Sequence, residues 1–238
     1  MELFDTHSHY NDEKFDKDRE QIIKETYEAG ITKFVCAGYN IESSKKAIEL
    51  SQKHEFIYSI CGISPNDIPQ SEQELWKDIE KITKIIKENK TNKLVAIGEI
   101  GLDYYWNKEN KGLQTEAFIK QIDLANELNL PIVIHSRDAS VDTINVIKEH
   151  TVKKAGIFHC CQFNQEMIKQ ALELGYYISF AGPVTFKNSK NASYIVKLVP
   201  LDRILIETDS PYLSPEPNRG KRNDSRNVKF IAQKIATE

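Results

Sequence analysis

Cysteine is scarce in this 238-residue chain, and the four present, Cys36, Cys61, Cys160 and Cys161, form no CxxC pair. Two of them are adjacent. That spacing is poor for a structural zinc site or a disulfide framework, so reduced, small, buried residues are expected. The N-terminus lacks the basic, apolar and small-residue segments of a secretion signal, and no apolar run approaches the roughly 18 residues of a membrane span. A cytoplasmic protein without membrane contact is the expectation. Net charge is also slight: 32 Lys and Arg against 35 Asp and Glu leave a formal -3. No global field draws in nucleic acid, and an anionic partner must be held by local cations or metal. No low-complexity tract, biased linker or domain boundary interrupts the chain, and no obligate protein partner is evident.

What is present is a rhythm. Hydrophobic residues make up 40% of the chain, enough for one large domain with a sizeable core. Short apolar, β-branched runs recur as LFDTH, KFVCAG, IYSICGI, LVAIGEIG, PIVIHS, AGIFHC, YYISF and RILIETD. Helix-spaced stretches alternate with them, near 17–29, 43–54, 72–90, 113–129, 137–150, 164–174, 189–199 and 223–236. Several of the runs are apolar along their whole length, as strands are in a parallel sheet covered on both faces. Eight such units over a chain slightly below the usual ~250 residues predict a single-domain (β/α)8 barrel spanning 1–238. The longest irregular stretch, Ser210 to Asn227, follows the last strand, and a loop of that length in a compact domain is usually functional.

Polar residues gather where those strands end. In DTHSHY, His7 and His9 are two residues apart and share a face with Asp5. An HxH pair by itself is common outside metal sites, and the other strands give it weight. Glu99 closes the fourth run, His135 the fifth, His159 the sixth, and Glu207 and Asp209 the eighth. In a barrel these ends converge on one mouth, where active sites sit. Imidazoles and carboxylates without a thiolate suit Zn, Mn or Mg. Four imidazoles and two of the carboxylates make six ligands, more than one open catalytic ion takes, and two ions about 3.5–4 Å apart, bridged by a carboxylate, would use all six. His54 and His150 fall near helix ends, where a surface or dipole-stabilising role is expected.

The runs DTHSHY, GEIGLDYYW, IHSRDA and ETDSPYL, in this order and over nearly the whole chain, closely resemble the TatD family of metal-dependent deoxyribonucleases. That resemblance implies a (β/α)8 barrel of the amidohydrolase-like superfamily cleaving DNA phosphodiesters with two divalent ions, Mg, Mn or Zn. It implies His7 and His9 on one ion, Glu99 bridging, His135 and His159 on the second, and Asp209 binding metal and orienting the attacking water. Glu99 and Asp209 are thus the expected catalytic carboxylates, and single-stranded or frayed 3′ ends the expected substrate. Arg137 and, in the loop after strand eight, Arg219, Lys221 and Arg222 are candidates for flanking phosphates. Lys187, after strand seven, is another. Tyr104, Tyr105 and Trp106 are candidates to stack on an unpaired base, with packing of that loop the competing reading and, for Trp106, the one expected first.

The chain also departs from the family pattern. Where relatives read GxHPH it has GISPN, so Ser64 and Asn66 stand at the substrate side of the mouth in place of two histidines. Where relatives read HCFSG or HCYTG it has HCCQF. The family's last helical segment is expected to be short or missing after IAQKIATE. Two rival readings follow: hydrolysis of an amide or lactone, which a carboxylated lysine in place of Glu99 would favour, and a catalytically impaired metal-binding barrel, against which the six retained ligand types speak.

Overall fold

Isoleucine, valine and phenylalanine fill the strand runs because both faces of each strand are covered, the inner by the barrel interior and the outer by helices. A computed structural model of the chain describes residues 2–89 and 91–238 and shows this arrangement directly. The strands are β1 (Leu3–Ser8), β2 (Ile31–Ala37), β3 (Ile57–Cys61), β4 (Leu94–Asp103), β5 (Ile132–Arg137), β6 (Ile157–Phe158), β7 (Tyr177–Phe180) and β8 (Ile204–Ile206). They pair in chain order, and every pair is parallel. Helices α1 (Arg19–Glu28), α2 (Ile41–Lys53), α3 (Glu72–Glu88), α4 (Lys111–Leu128), α5 (Ser140–Glu149), α6 (Gln165–Glu173), α7 (Ala192–Leu198) and α8 (Val228–Ala236) follow the strands one by one. The fold is the expected single-domain (β/α)8 barrel. No described helix is long and apolar enough to cross a membrane.

Local chemistry sets the element ends. Asn40 and Ser43 form a reciprocal capping box that starts α2 two residues before the expected position. The fifth helix was expected from 137, yet Arg137 still belongs to β5, and the chain turns at Asp138 with φ 52° before α5 begins. The eighth was expected from 223, and Ser225–Asn227 instead form a 3-10 turn that leads into α8. The expected third helix ran to Lys90, which lies outside the described residues. At Gly101, φ is 138° and an added Cβ would fall 2.0 Å from the His135 carbonyl oxygen, so only glycine lets β4 lie this close to β5.

Closure of the barrel depends on a seam between β1 and the residues after β8. The Asp209 amide donates to the His7 carbonyl at 2.9 Å, and the His9 amide to the Ser210 carbonyl at 2.7 Å. Deeper in, a side chain replaces the ladder: buried Asp5 accepts from the Thr208 amide at 2.9 Å and from the Thr208 hydroxyl at 2.5 Å. Asn223 ties the following loop down by donating to the carbonyls of Thr208 and Tyr212. Asp5→Ala strands three buried donors, the Thr208 amide and hydroxyl and the His7 amide, without opening a path to water, and each such donor costs about 1–3 kcal/mol. Urea unfolding of this variant should show a loss within that range or above it; a midpoint equal to wild type would mean the seam does not rely on Asp5.

Candidate metal centre

Strand direction brings the C-terminal ends of β1, β4, β5, β6 and β8 to one mouth, and with them all six expected ligands. His7 is fully buried between His9 and His159, its ring stacked on His159 at 4.0 Å. Its Nε2 lies 3.2 Å from His9 Nε2, 3.5 Å from Glu99 Oε2 and 3.8 Å from Asp209 Oδ1. His9 Nε2 in turn meets Asp209 Oδ1 at 3.1 Å. On the other side, Glu99 Oε1 lies 2.9 Å from His135 Nδ1 and 3.2 Å from His159 Nε2, which are 3.1 Å from each other. The two oxygens of Glu99 therefore face two different histidine pairs.

These separations fit a cation held between the groups. Two ligands each about 2.0–2.1 Å from a tetrahedral zinc lie roughly 3.3–3.4 Å apart, close to the spacings found. Two imidazole nitrogens directed at each other, as in His7 and His9, need a proton or a metal between them. The second ring nitrogens complete the case, because a metal-ligating histidine usually donates its other N–H to a fixed acceptor. His9 Nδ1 reaches the Ala37 carbonyl at 3.0 Å, His135 Nε2 reaches Asp103 Oδ2 at 2.9 Å, and His159 Nδ1 reaches Glu207 Oε1 at 3.3 Å. In each case the nitrogen left over points at Glu99 or Asp209.

The electrostatics agree. Burial alone would raise the Glu99 carboxyl, yet His159, His135 and His7 hold it well below the usual carboxylate range. Asp209, also pushed up by burial, is brought below its ordinary value by His9. Burial and the neighbouring His159 lower His7, against the raising effect of Glu99. Burial opposes charge on His159 too, but Glu99 and Glu207 raise it well above the ordinary histidine value.

Two residues of this centre escaped the sequence reading in part. Asp103 was not singled out because β4 runs four residues past Glu99; the strand parity Glu99, Gly101, Asp103 is the signal that would have found it. Glu207 was placed at its strand end but not as the partner of His159. It also accepts from the Cys160 amide at 2.7 Å.

A cavity of about 800 Å³ opens over the centre, lined by Ser64, Asn66, Trp106, Arg137 and the HCCQF residues Cys160 to Phe163, among others. Asn66 donates to Asp103 Oδ2 at 3.3 Å, so one of its two N–H groups supports the carboxylate that orients His135. Ser64 caps the 3-10 turn Pro65–Asp67 by accepting from the Asn66 amide. Other expected contacts need correction. Tyr104 is buried, its hydroxyl donating to Asp142 at 2.8 Å and its ring covered by Lys111, so it offers no face for stacking. Arg222 is fixed by a bidentate pair to Asp18, which spans the loops after β8 and β1. Arg219 lies over the Phe186 ring and beside Asn188, and neither it nor exposed Lys187 lines the cavity.

With that geometry in place, similarity to known proteins is informative. The family model described as TatD related DNase matches residues 4–238. The chain belongs to the TatD family. A Bacillus subtilis (strain 168) relative, uncharacterized metal-dependent hydrolase YabD, is 43% identical over 238 residues, covering 98% of this chain and 90% of its own. A human relative, deoxyribonuclease TATDN3, is 32% identical over 242 residues, covering 98% of this chain and 86% of its own. The crystal structure of YjjV, a TatD homologue from Escherichia coli K12, superposes with a TM-score of 0.92 at 22% identity, over 99% of this chain and 89% of that one. This TatD protein is a metal-dependent hydrolase of the barrel class, and its His/Glu/Asp cluster brings together groups that suit a divalent metal.

Removing a carboxylate behind a metal-ligating histidine usually costs 10–100-fold in metal affinity. Asp103→Ala should weaken divalent metal binding by about that factor, read by competition with a chelating dye, with the barrel still folding cooperatively. Unchanged affinity would remove Asp103 from the support of His135.

Proposed function

We propose that this TatD protein is a deoxyribonuclease that hydrolyses DNA phosphodiesters with two divalent ions, Mg, Mn or Zn, acting on single-stranded or frayed 3′ ends. The observation that carries the reading is the division of Glu99, with one oxygen toward His7 and His9 and the other toward His135 and His159. A carboxylate used from both sides suits a bridging ligand. The named deoxyribonuclease activity of the human relative supports the same substrate.

The chemistry that such ions supply is neutralisation of the phosphate and a lowered pKa for the attacking water. The rest falls to the protein. His7 and His9 would hold one ion and His135 and His159 the other, with Glu99 between them. Asp209, ionised and beside the cavity, accepts the proton of the water as it attacks phosphorus. Arg137, at the cavity wall, presents a planar guanidinium to a neighbouring phosphate, a match for paired hydrogen bonds. Asn66 retains one N–H for the substrate side, but unlike the imidazole of its relatives it cannot transfer a proton. Asn66 therefore supplies no proton to the leaving oxygen, which takes one from Asp209, where the attacking water left it, or from solvent water. Glutamate at position 99, rather than a lysine, disfavours the amide and lactone alternative.

Incubation of purified protein with end-labelled single-stranded and duplex DNA and RNA in Mg, Mn or Zn tests the reading, and shortening of the single strand from its 3′ end is the expected ladder. Intact DNA in all three metals, alongside turnover of an amide or lactone, would replace it. Glu99→Gln should lose most of its metal and nearly all cleavage while keeping its thermal transition; full metal occupancy with near-wild-type cleavage would end the bridging role. Asp209→Asn should retain much of its metal but lose about 10²–10⁴-fold in turnover, the usual contribution of a positioned proton acceptor. Recovery of the wild-type rate on adding metal would make Asp209 a ligand only and place the base elsewhere.

A further inference from the structure

Beyond the metal centre, the most unusual surface in the molecule is the turn that follows β4. Trp106 is 68% exposed and Tyr105 51%, although both are large aromatic side chains that a soluble protein ordinarily covers. Their rings stand at 89° to each other with centroids 4.8 Å apart. The Arg137 guanidinium lies over the Tyr105 ring at 3.8 Å and reaches to 5.5 Å from the Trp106 ring. Trp106 and Arg137 both line the cavity, whereas Tyr105 acts as the support beneath the arginine.

This corner is held rigidly. Oδ1 of Asp103 accepts from the amides of Tyr105 at 2.9 Å and Trp106 at 3.0 Å, while Oδ2 of the same carboxylate accepts from His135 Nε2 at 2.9 Å. One buried group thus fixes both the aromatic turn and a metal ligand. A ring that lies against Trp106 is indexed to the metal centre through a single side chain, with a cation beside it for the intervening phosphate.

We propose that Trp106, with Arg137 at its edge, forms a subsite for one unpaired nucleobase adjoining the reacting phosphate, and that Asp103 sets the register between them. The subsite rests on the nuclease reading for its substrate class. An aromatic face accepts any of the four bases and only bases freed from a duplex, so it selects strand state and not sequence. Arg137 supplies the charge that a plain apolar patch lacks, which favours a nucleotide over an apolar partner.

The test has two arms. In the kinetic arm, kcat/KM is compared for single strands ending in an ordinary 3′ nucleotide and in an abasic one. Wild type should prefer the ordinary end by roughly 5- to 150-fold, the range that base–aromatic stacking sets. Trp106→Ala should reduce this preference to less than about threefold, chiefly through KM, and Trp106→Phe should keep most of it. In the binding arm, tryptophan fluorescence is read as an oligothymidylate is added to metal-loaded Asp209→Asn protein. The chain has two tryptophans, and Trp76 lies on α3 away from the cavity lining, so quenching should vanish in Asp209→Asn, Trp106→Phe. Cleavage of DNA with the same end preference in wild type and Trp106→Ala overturns the subsite and leaves the nuclease reading intact. Quenching without cleavage of any nucleic acid overturns the nuclease reading and leaves the subsite. Absence of quenching in the Asp209→Asn protein overturns the subsite as well.

Discussion

A carboxylate almost fully withdrawn from water cannot remain ionised unless positive charge or donors surround it. Glu99 meets that requirement with four imidazoles, two on each oxygen, and the rest of the barrel mouth follows from it. At effective dielectric constants near 20, unit charges about 4 Å apart interact by about 4 kcal/mol, enough to offset the desolvation of a partly relaxed site. The histidines are in turn oriented by Ala37, Asp103 and Glu207, so the arrangement is a set of nested supports. His7 is the exception: its Nδ1 is buried with no hydrogen-bond partner among the described residues, and its ring is fixed by stacking on His159 instead.

Much of this was legible in the sequence, for a physical reason. Strands covered on both faces read as continuous apolar runs, and a polar residue at the end of such a run is conspicuous. His135 after PIVI and His159 after AGIF stand out in this way. Asp103 does not, because the ladder continues beyond Glu99 through Gly101, whose backbone no other residue could follow. Tyr104 was misread for a related reason: it opens the turn that follows β4, with its side chain directed toward α5 and the Asp142 carboxylate.

Loop residues were less legible still. Lys187, Arg219 and Arg222 are cations near the mouth by chain order, and nothing in their local sequence says which face of a loop they take. Arg222 is captured by Asp18 from a loop some 200 residues earlier, a pairing that depends on closure of the barrel. GISPN behaves in a third way. Its position was readable, but the support that Asn66 gives to Asp103 needs the two strand ends to be side by side, and it turns an apparent loss of imidazole into a structural link.

The seam has a consequence for when the protein can act. His7 and Asp209 come from opposite ends of the chain, and the Asp209 amide closes the ring by bonding to the His7 carbonyl. During synthesis the N-terminal strands emerge first and the eighth last. Asp209 is therefore made some 200 residues after His7, and a chain that has not yet reached it carries an incomplete cluster. By the order of its strands, this metal-dependent hydrolase brings the two sides of its centre together only when the segment after β8 joins β1.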